Sequence, residues 1–262
     1  MLPLAGPDFP TSLADFSASL RGGFTERGIV AREVRVEGEW PRIAEISVDL
    51  TGARLSRSID FPRGNSEAQP ALSIARLAVS AAPLHFEETP IRLEVHAEDA
   101  DCAFTRDSAD QPLLQLTRAA SGSVVLEAQR SDLESKLKEF ATTALAKQGA
   151  DVKSVRLDLN DLGPRSLGFR ADVTAKAFLM TARVFVTGRI DVDDQMNLRV
   201  RDLATGGDGM IANLAGSFLR PRFAEIEKRV IPLPAFSFAG LKPQNIRISG
   251  GEALRIEAKF CA

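Results

Sequence analysis

From Arg32 onward, apolar side chains recur at every second position over most of this chain. Val34 and Val36 alternate with Glu33, Arg35 and Glu37, and Ile46, Val48 and Leu50 alternate with Ser47 and Asp49. A period of two puts one face of a strand in a core and the other in water, which is the pattern of antiparallel sheet. The pattern resumes in "ALSIARLAVSA", where its parity changes between Ile74 and Leu77, the mark of a bulge. It continues in "IRLEVHAEDADCAF", with Ile91, Leu93, Val95 and Ala97 on one side, and in "LLQLTRA" and "SVVLEA".

Two stretches break the alternation. Residues 131–149, "SDLESKLKEFATTALAKQG", place Leu133, Leu137, Phe140, Ala141, Ala144 and Leu145 in one helical stripe. Ser131 with Glu134 fits a capping box, and Gly149 fits the helix stop. From about 209 to 230, Ile211, Ala215, Leu219, Phe223, Ile226 and Val230 keep helical spacing, widened by Leu214 and Phe218. Pro221 lies inside it, so the expectation is one long kinked helix. A shorter helix is expected near the start, capped by Thr11 or Ser12, with Leu13, Phe16 and Leu20 on one face and Gly22-Gly23 as its stop.

Between the two helical stretches, "VKSVRLDLN", "LGFRADVTAKAFLMTARVFVTGRIDV" and "MNLRVRDL" read as strands, with a turn at Gly163-Pro164 and a bend or hairpin tip at Phe178–Met180. Leu167, Phe169, Ala171, Val173 and Ala175 form one face, and Ala182, Val184, Val186 and Ile190 another. "FPRGNSEAQP" (61–70) reads as a loop, and "NIRISG" and "ALRIEAKF" as two closing strands. The fold class expected is α+β, a highly curved antiparallel sheet wrapped around long amphipathic helices. One domain is expected over 1–262: a lead-in helix to 28, mostly strands over 29–130, then helix, strands, long helix and final strands.

Composition narrows the function classes. Thirty-three Lys and Arg against 35 Asp and Glu leave a net charge of -2, which disfavours a phosphate-tracking nucleic-acid binder. Fifteen Phe, one Trp and no Tyr make the aromatic surface almost purely apolar. Cys102 and Cys261 form no metal or disulfide framework. No run reaches the ~20 apolar residues of a membrane span, and "MLPLAGPDFP" carries no basic region followed by an apolar one, so cytoplasmic placement is expected, with transient contact to a membrane surface, the alternative being a periplasmic protein whose leader has been removed.

No reactive constellation stands out. His85 and His96 have acidic neighbours without zinc-site spacing, and His96 falls on the wet face with Arg92 and Glu94. "IDVDDQMN" lacks the glycine and terminal Glu of a calcium loop and reads as a polar hairpin turn. "ATGGDGM" matches neither phosphate-loop pattern and reads as a turn, with Gly206, Gly207 and Gly209 as an alternative flap. Ser121 and Ser249 lack a nucleophile elbow. Arg220, Arg222, Lys228 and Arg229 form a basic helix face, either solvated or turned to anionic headgroups.

The helix "SDLESKLKEFA", the segment "RVIPLPAFSFAGLKPQNIRIS" and the final "GGEALRIEAKF" together resemble the bacterial LmeA-like phospholipid-binding domain family of the tubular lipid-binding (TULIP) group. Leu233-Pro234, Gly240-Leu241, Ile246, Ile248, Gly251, Leu254 and Ile256 fit that family's order. The resemblance covers residues 29–260, most strongly from 131 onward. It implies an apolar groove that holds acyl chains, no cofactor and no catalytic residue. The lining expected from the helices is Leu133, Leu137, Phe140, Leu145, Ile211, Leu214, Phe218, Phe223, Ile226 and Val230. The sheet is expected to add Phe169, Val173, Val184 and Val186. The expected function is non-enzymatic binding, and transfer, of a phospholipid or other hydrophobic molecule. The alternatives are a structural or interaction module of the same fold with a filled core and, behind it, an enzyme.

Overall fold

Alternation at the level of sequence becomes alternation of burial in the computed structural model, which describes residues 1–55, 68–146, 150–177, 180–194, 197–207, 219, 222–232 and 244–260. Strands dominate, the helices are short, and the sheets are open, so the class is α+β. The chain divides into two compact units. The first comprises Met1–Glu127, Pro234–Asn245 and Glu257–Ala262, the second Ala128–Leu233 and Ile246–Ile256.

The first unit begins with β1 (Leu2–Pro3) and helix α1 (Leu13–Glu26), followed by β2 (Glu33–Glu39), β3 (Arg42–Asp49) and β4 (Arg54–Leu55). Three strands of 18 residues each come next: β5 (Gln69–Phe86), β6 (Thr89–Arg106) and β7 (Pro112–Gln129). The segments "LLQLTRA" and "SVVLEA", expected as separate strands, both lie in the unbroken β7. Near the chain's end come β13 (Asn245–Ser249) and β14 (Ala253–Phe260), whose residues 246–256 are counted with the second unit; by strand pairing they belong to a nine-stranded sheet of order β13-β14-β7-β6-β5-β3-β2, with β1 beside β7 and β4 beside β5.

A seam crosses this sheet. Leu72 and Ile74 face the core, Ala75 and Arg76 are both exposed, and Leu77, Val79 and Ala81 face the core again. The expected parity change is therefore real. It is matched in β6, where Glu98 and Asp99 are both exposed, and in β7, where Thr117 and Arg118 are. Asp99 takes a φ of 45°, and β6 keeps its register with β5 across the seam, so the change of facing occurs without the inserted residue expected. Cross-strand pairs on the wet face follow the register: Glu45 with Arg76 at 3.6 Å and Asp101 with Arg118 at 3.7 Å.

Helix α1 is capped by Ser12, whose hydroxyl accepts the Asp15 amide at 3.1 Å. It does not stop at Gly22-Gly23 but runs on to Glu26. Those glycines serve a close approach instead. A Cβ on Gly23 would lie 2.4 Å from the Pro3 carbonyl oxygen, and one on Gly22 2.7 Å from the Ala5 Cβ. Phe16, Leu20 and Phe24 complete a core whose members Ile46, Leu114 and Ala119 have no exposed surface.

The second unit holds α2 (Arg130–Ala146), β8 (Ala150–Gly163), β9 (Ser166–Ala177), β10 (Met180–Val192), β11 (Asn197–Gly207), a third helix, α3, over 222–228, and β12 (Ile231–Pro232). Five strands form a sheet of order β12-β11-β10-β9-β8. Pairing of Met180 with Ala177 makes β9 and β10 a hairpin, as expected, and "IDVDDQMN" joins β10 to β11. Of the long kinked rod expected over 209–230, the described residues show only parts. Helix is present at 219 and over 222–228, while 208–218 and 220–221, including Pro221, lie outside the described residues, as do Gly149 and Cys261.

Candidate functional site

Register in the five-stranded sheet sorts its side chains into two unlike faces. Val184 pairs with Val173, Val186 with Ala171, and Ile190 with Leu167. The two apolar rows that the sequence suggests as separate faces are therefore one continuous floor. β8 extends it with Val155, Leu157 and Leu159, opposite Val173, Ala171 and Phe169. β11 extends it with Leu198 and Val200, opposite Val192 and Ile190.

The other face is ionic. Arg170 binds Asp172 through two nitrogens at 2.8 and 2.9 Å, and Arg156 lies 3.4 Å from Asp158. The Arg170 hydrogen bond holds the Asp172 carboxyl below its ordinary range. The Arg170 guanidinium also sits 4.0 Å over the Phe185 ring.

A bulge keeps the two faces separate. At Asp202 the backbone takes φ 55°, and the register with β10 shifts between Thr187 and Arg189. The extra residue leaves Asp202 on the ionic face, 3.0 Å from the Arg189 Nε, and turns Leu203 toward the floor.

Helices guard both edges. Glu134–Ala146 rises ~18 Å as helix, and Ala150–Leu157 extends ~23 Å as strand, so with only 147–149 between them α2 runs back along β8. Glu134 accepts the Leu157 amide at 2.8 Å. The capping box expected of Ser131 and Glu134 is therefore not formed: the helix starts at Arg130, and Glu134 is spent on the strand. On the far edge Glu227 of α3 accepts the Leu203 amide, also at 2.8 Å. The Gly163-Pro164 turn is held by β13, whose Ile248 amide donates to the Pro164 carbonyl at 2.8 Å.

Coverage of the floor is partial. Leu167 and Ala175 are sealed, and Val184 and Phe223 are buried. Phe169, Val173 and Val186 are only half-buried, as are Leu133, Leu137 and Leu145 of α2. Phe140 is 60% exposed, Val230 42% and Ile226 38%. The α2 stripe, expected to be buried, is thus open along much of its length. Ile211, Leu214 and Phe218 lie outside the described residues. Comparison with protein-family models, with curated proteins and with solved structures finds no match for this chain.

Sequence reasoning missed three parts of this site: the edge contacts of Glu134 and Glu227, the floor position of Leu203, and Gly188. The last had a signal, a gap in the alternation Val184, Val186, Gly188, Ile190. Gly206 and Gly207, expected in a turn or flap, are strand residues of β11, and Gly206 lies under the Phe185 ring.

The chemistry available on the floor is that of hydrocarbon. Its paired residues are Val, Leu, Ile, Ala, Gly and Phe, with Thr205 beside Val186 and Asp161 opposite Leu167 as polar exceptions. Both histidines lie in the first unit, and His96 is exposed with Arg92 as expected. Among the described residues no group of His, Cys, Asp or Glu is placed to hold a metal ion.

Proposed function

We propose that the second unit binds an apolar ligand, a lipid acyl chain or a molecule like it, along the floor of its five-stranded sheet, and does so without chemical turnover. One contrast carries this reading. In the first unit Phe16, Leu20 and Leu114 are fully buried, whereas on the second unit's floor Phe169, Val173 and Val186 are half-open, and Phe140 of α2 is exposed. Folded proteins rarely leave such connected apolar surface without an occupant.

The energetics fit an unspecific hydrocarbon. Burying ten methylenes gains about 8 kcal/mol, against an association cost of at least ~4 kcal/mol, so binding needs no polar anchor. Exposed Ile226 and Val230, with Arg222 on α3 and Arg229 just after it, fit transient contact with an anionic membrane from which such a ligand is taken. These features agree with the resemblance to the tubular lipid-binding group, whose long helices this chain does not reproduce among the described residues.

A second reading rests on Leu167 and Ala175, sealed at 0% and 1% exposure: a structural module whose floor is closed by its own side chains. Titration with a polarity-sensitive dye and displacement by fatty acid separate the two. Saturable, displaceable fluorescence supports binding, and a flat response supports the structural module.

A further inference from the structure

The floor of the second unit is crossed by a ridge. Leu159 on β8 pairs with Phe169 on β9, and Phe169 pairs with Gly188 on β10. A Cβ placed on Gly188 would come within 2.7 Å of both Phe169 Cζ and Leu203 Cδ2. The Phe169 ring and the Leu203 side chain therefore meet over a strand that has no side chain of its own there.

Everything that shapes this ridge is built in. The Asp202 bulge turns Leu203 to the floor, and Glu227 holds the Leu203 amide. Beyond the ridge the floor is closed, because a Cβ on Gly250 would meet Leu159 Cβ and Leu167 Cδ1 at 2.7 Å. On the other side Val173 and Val186 are half-open, and from Phe169 to Val173 the strand runs ~13 Å at ~3.3 Å per residue.

We infer that Phe169 and Leu203, meeting over Gly188, form the end stop that sets how long an apolar chain the floor admits. This rests on the binding reading above and adds chain length as the property selected. A chain lying along the half-open Val173 and Val186 comes to rest against the Phe169 ring, and a longer one must leave its excess in water. The ligand class is a single saturated acyl chain.

The strand carries its own control. Phe185 lies over Gly206 in the same manner but on the ionic face, where a Cβ on Gly206 would meet Phe185 Cζ at 2.2 Å. The test is dye displacement by saturated fatty acids from octanoate to stearate, run on wild type, Phe169→Ala, Leu203→Ala and Phe185→Ala. Phe169→Leu serves as a milder form should Phe169→Ala unfold, with thermal melts as the check.

The expected result is that Phe169→Ala and Leu203→Ala shift the preferred chain to longer homologues, raising stearate affinity about ten-fold relative to the wild-type optimum, while Phe185→Ala leaves the preference unchanged. If the folded Phe169 and Leu203 variants keep the wild-type optimum, or if Phe185→Ala shifts it equally, the end stop is overturned and the binding reading stands. If no fatty acid displaces dye from the wild type, the binding reading falls and the end stop falls with it.

Discussion

The Glu134 carboxylate accepts the Leu157 amide N–H at 2.8 Å, so a helix side chain satisfies the outermost strand of a sheet. The arrangement recurs at the opposite edge, where Glu227 accepts the Leu203 amide, and at the β2 edge, where Arg21 of α1 donates to the Val34 carbonyl at 3.0 Å. Open edges are templates for unwanted strand pairing. Each of the three described helices answers that hazard with one charged side chain. Glu134→Ala is expected to cost about 1–2 kcal/mol, to speed hydrogen exchange at the Leu157 amide, and to raise aggregation on heating. Unchanged exchange at Leu157 would show that the contact does not protect the edge.

Asp107 is the most enclosed carboxylate of the first unit. Its partner Arg27 lies 2.8 Å away, and the side chains are only 10% and 24% exposed. Burial pushes the carboxyl up, but the Arg27 hydrogen bond and the Gln111 and Ala109 amides outweigh it and leave the value below the ordinary 3.8. A depressed value means that the pair stabilises the fold fully above 3.8 and loses that effect as pH falls through the folded value. Asp107→Ala is expected to cost about 3 kcal/mol at neutral pH, with the difference from wild type shrinking in acid. The sole tryptophan, Trp40, packs 6.0 Å from Phe16 and 6.5 Å from Phe104, so its fluorescence reports this unit's unfolding. A difference constant with pH would contradict the linkage.

What the sequence reveals of this fold is its local physics. The period-two stretches from Glu33 to Arg106 form strands, and the parity change after Ile74 is real, but β5 keeps its register with β3 and β6 there, so it is not the bulge expected. Misreadings fall where one residue type serves two ends. Gly22-Gly23 reads as a stop but admits the Pro3 backbone, a use that depends on a distant segment. Glu134 reads as a cap partner but is taken by β8, and no local pattern records which strand will lie beside a helix. Likewise the apolar rows of β9 and β10 are plain in sequence, while their union into one floor depends on hairpin register, and so does the ridge over Gly188. The stretch 209–230 has helical spacing throughout, but of it the described helix over 222–228 buries Phe223 and leaves Ile226 exposed.

Asp202 sits at φ 55°, where a β-branched side chain is strained. Asp202→Gly is expected to change stability by only a few tenths of a kcal/mol, while Asp202→Val costs about 1–2 kcal/mol. Thermal denaturation of both variants checks this. Equal melting temperatures would mean that the bulge is not needed to keep Leu203 on the floor.

Cys102 is 3% exposed, and burial, with Asp101 adding to it, pushes its thiol up to about 12. A thiol so far from ionisation is a poor nucleophile. Iodoacetamide at pH near 8 should leave Cys102 unlabelled in the native protein and label it fully in denaturant, with peptide mapping to distinguish it from Cys261. Native labelling of Cys102 would contradict its burial.

The claim that the second unit's floor holds an acyl chain is tested most directly by native mass spectrometry of the purified protein before and after organic extraction. The account predicts a population heavier than the 28.3 kDa chain by the mass of one lipid or fatty acid, lost on extraction and regained on adding fatty acid. A bare chain mass throughout, with no adduct regained, would contradict it.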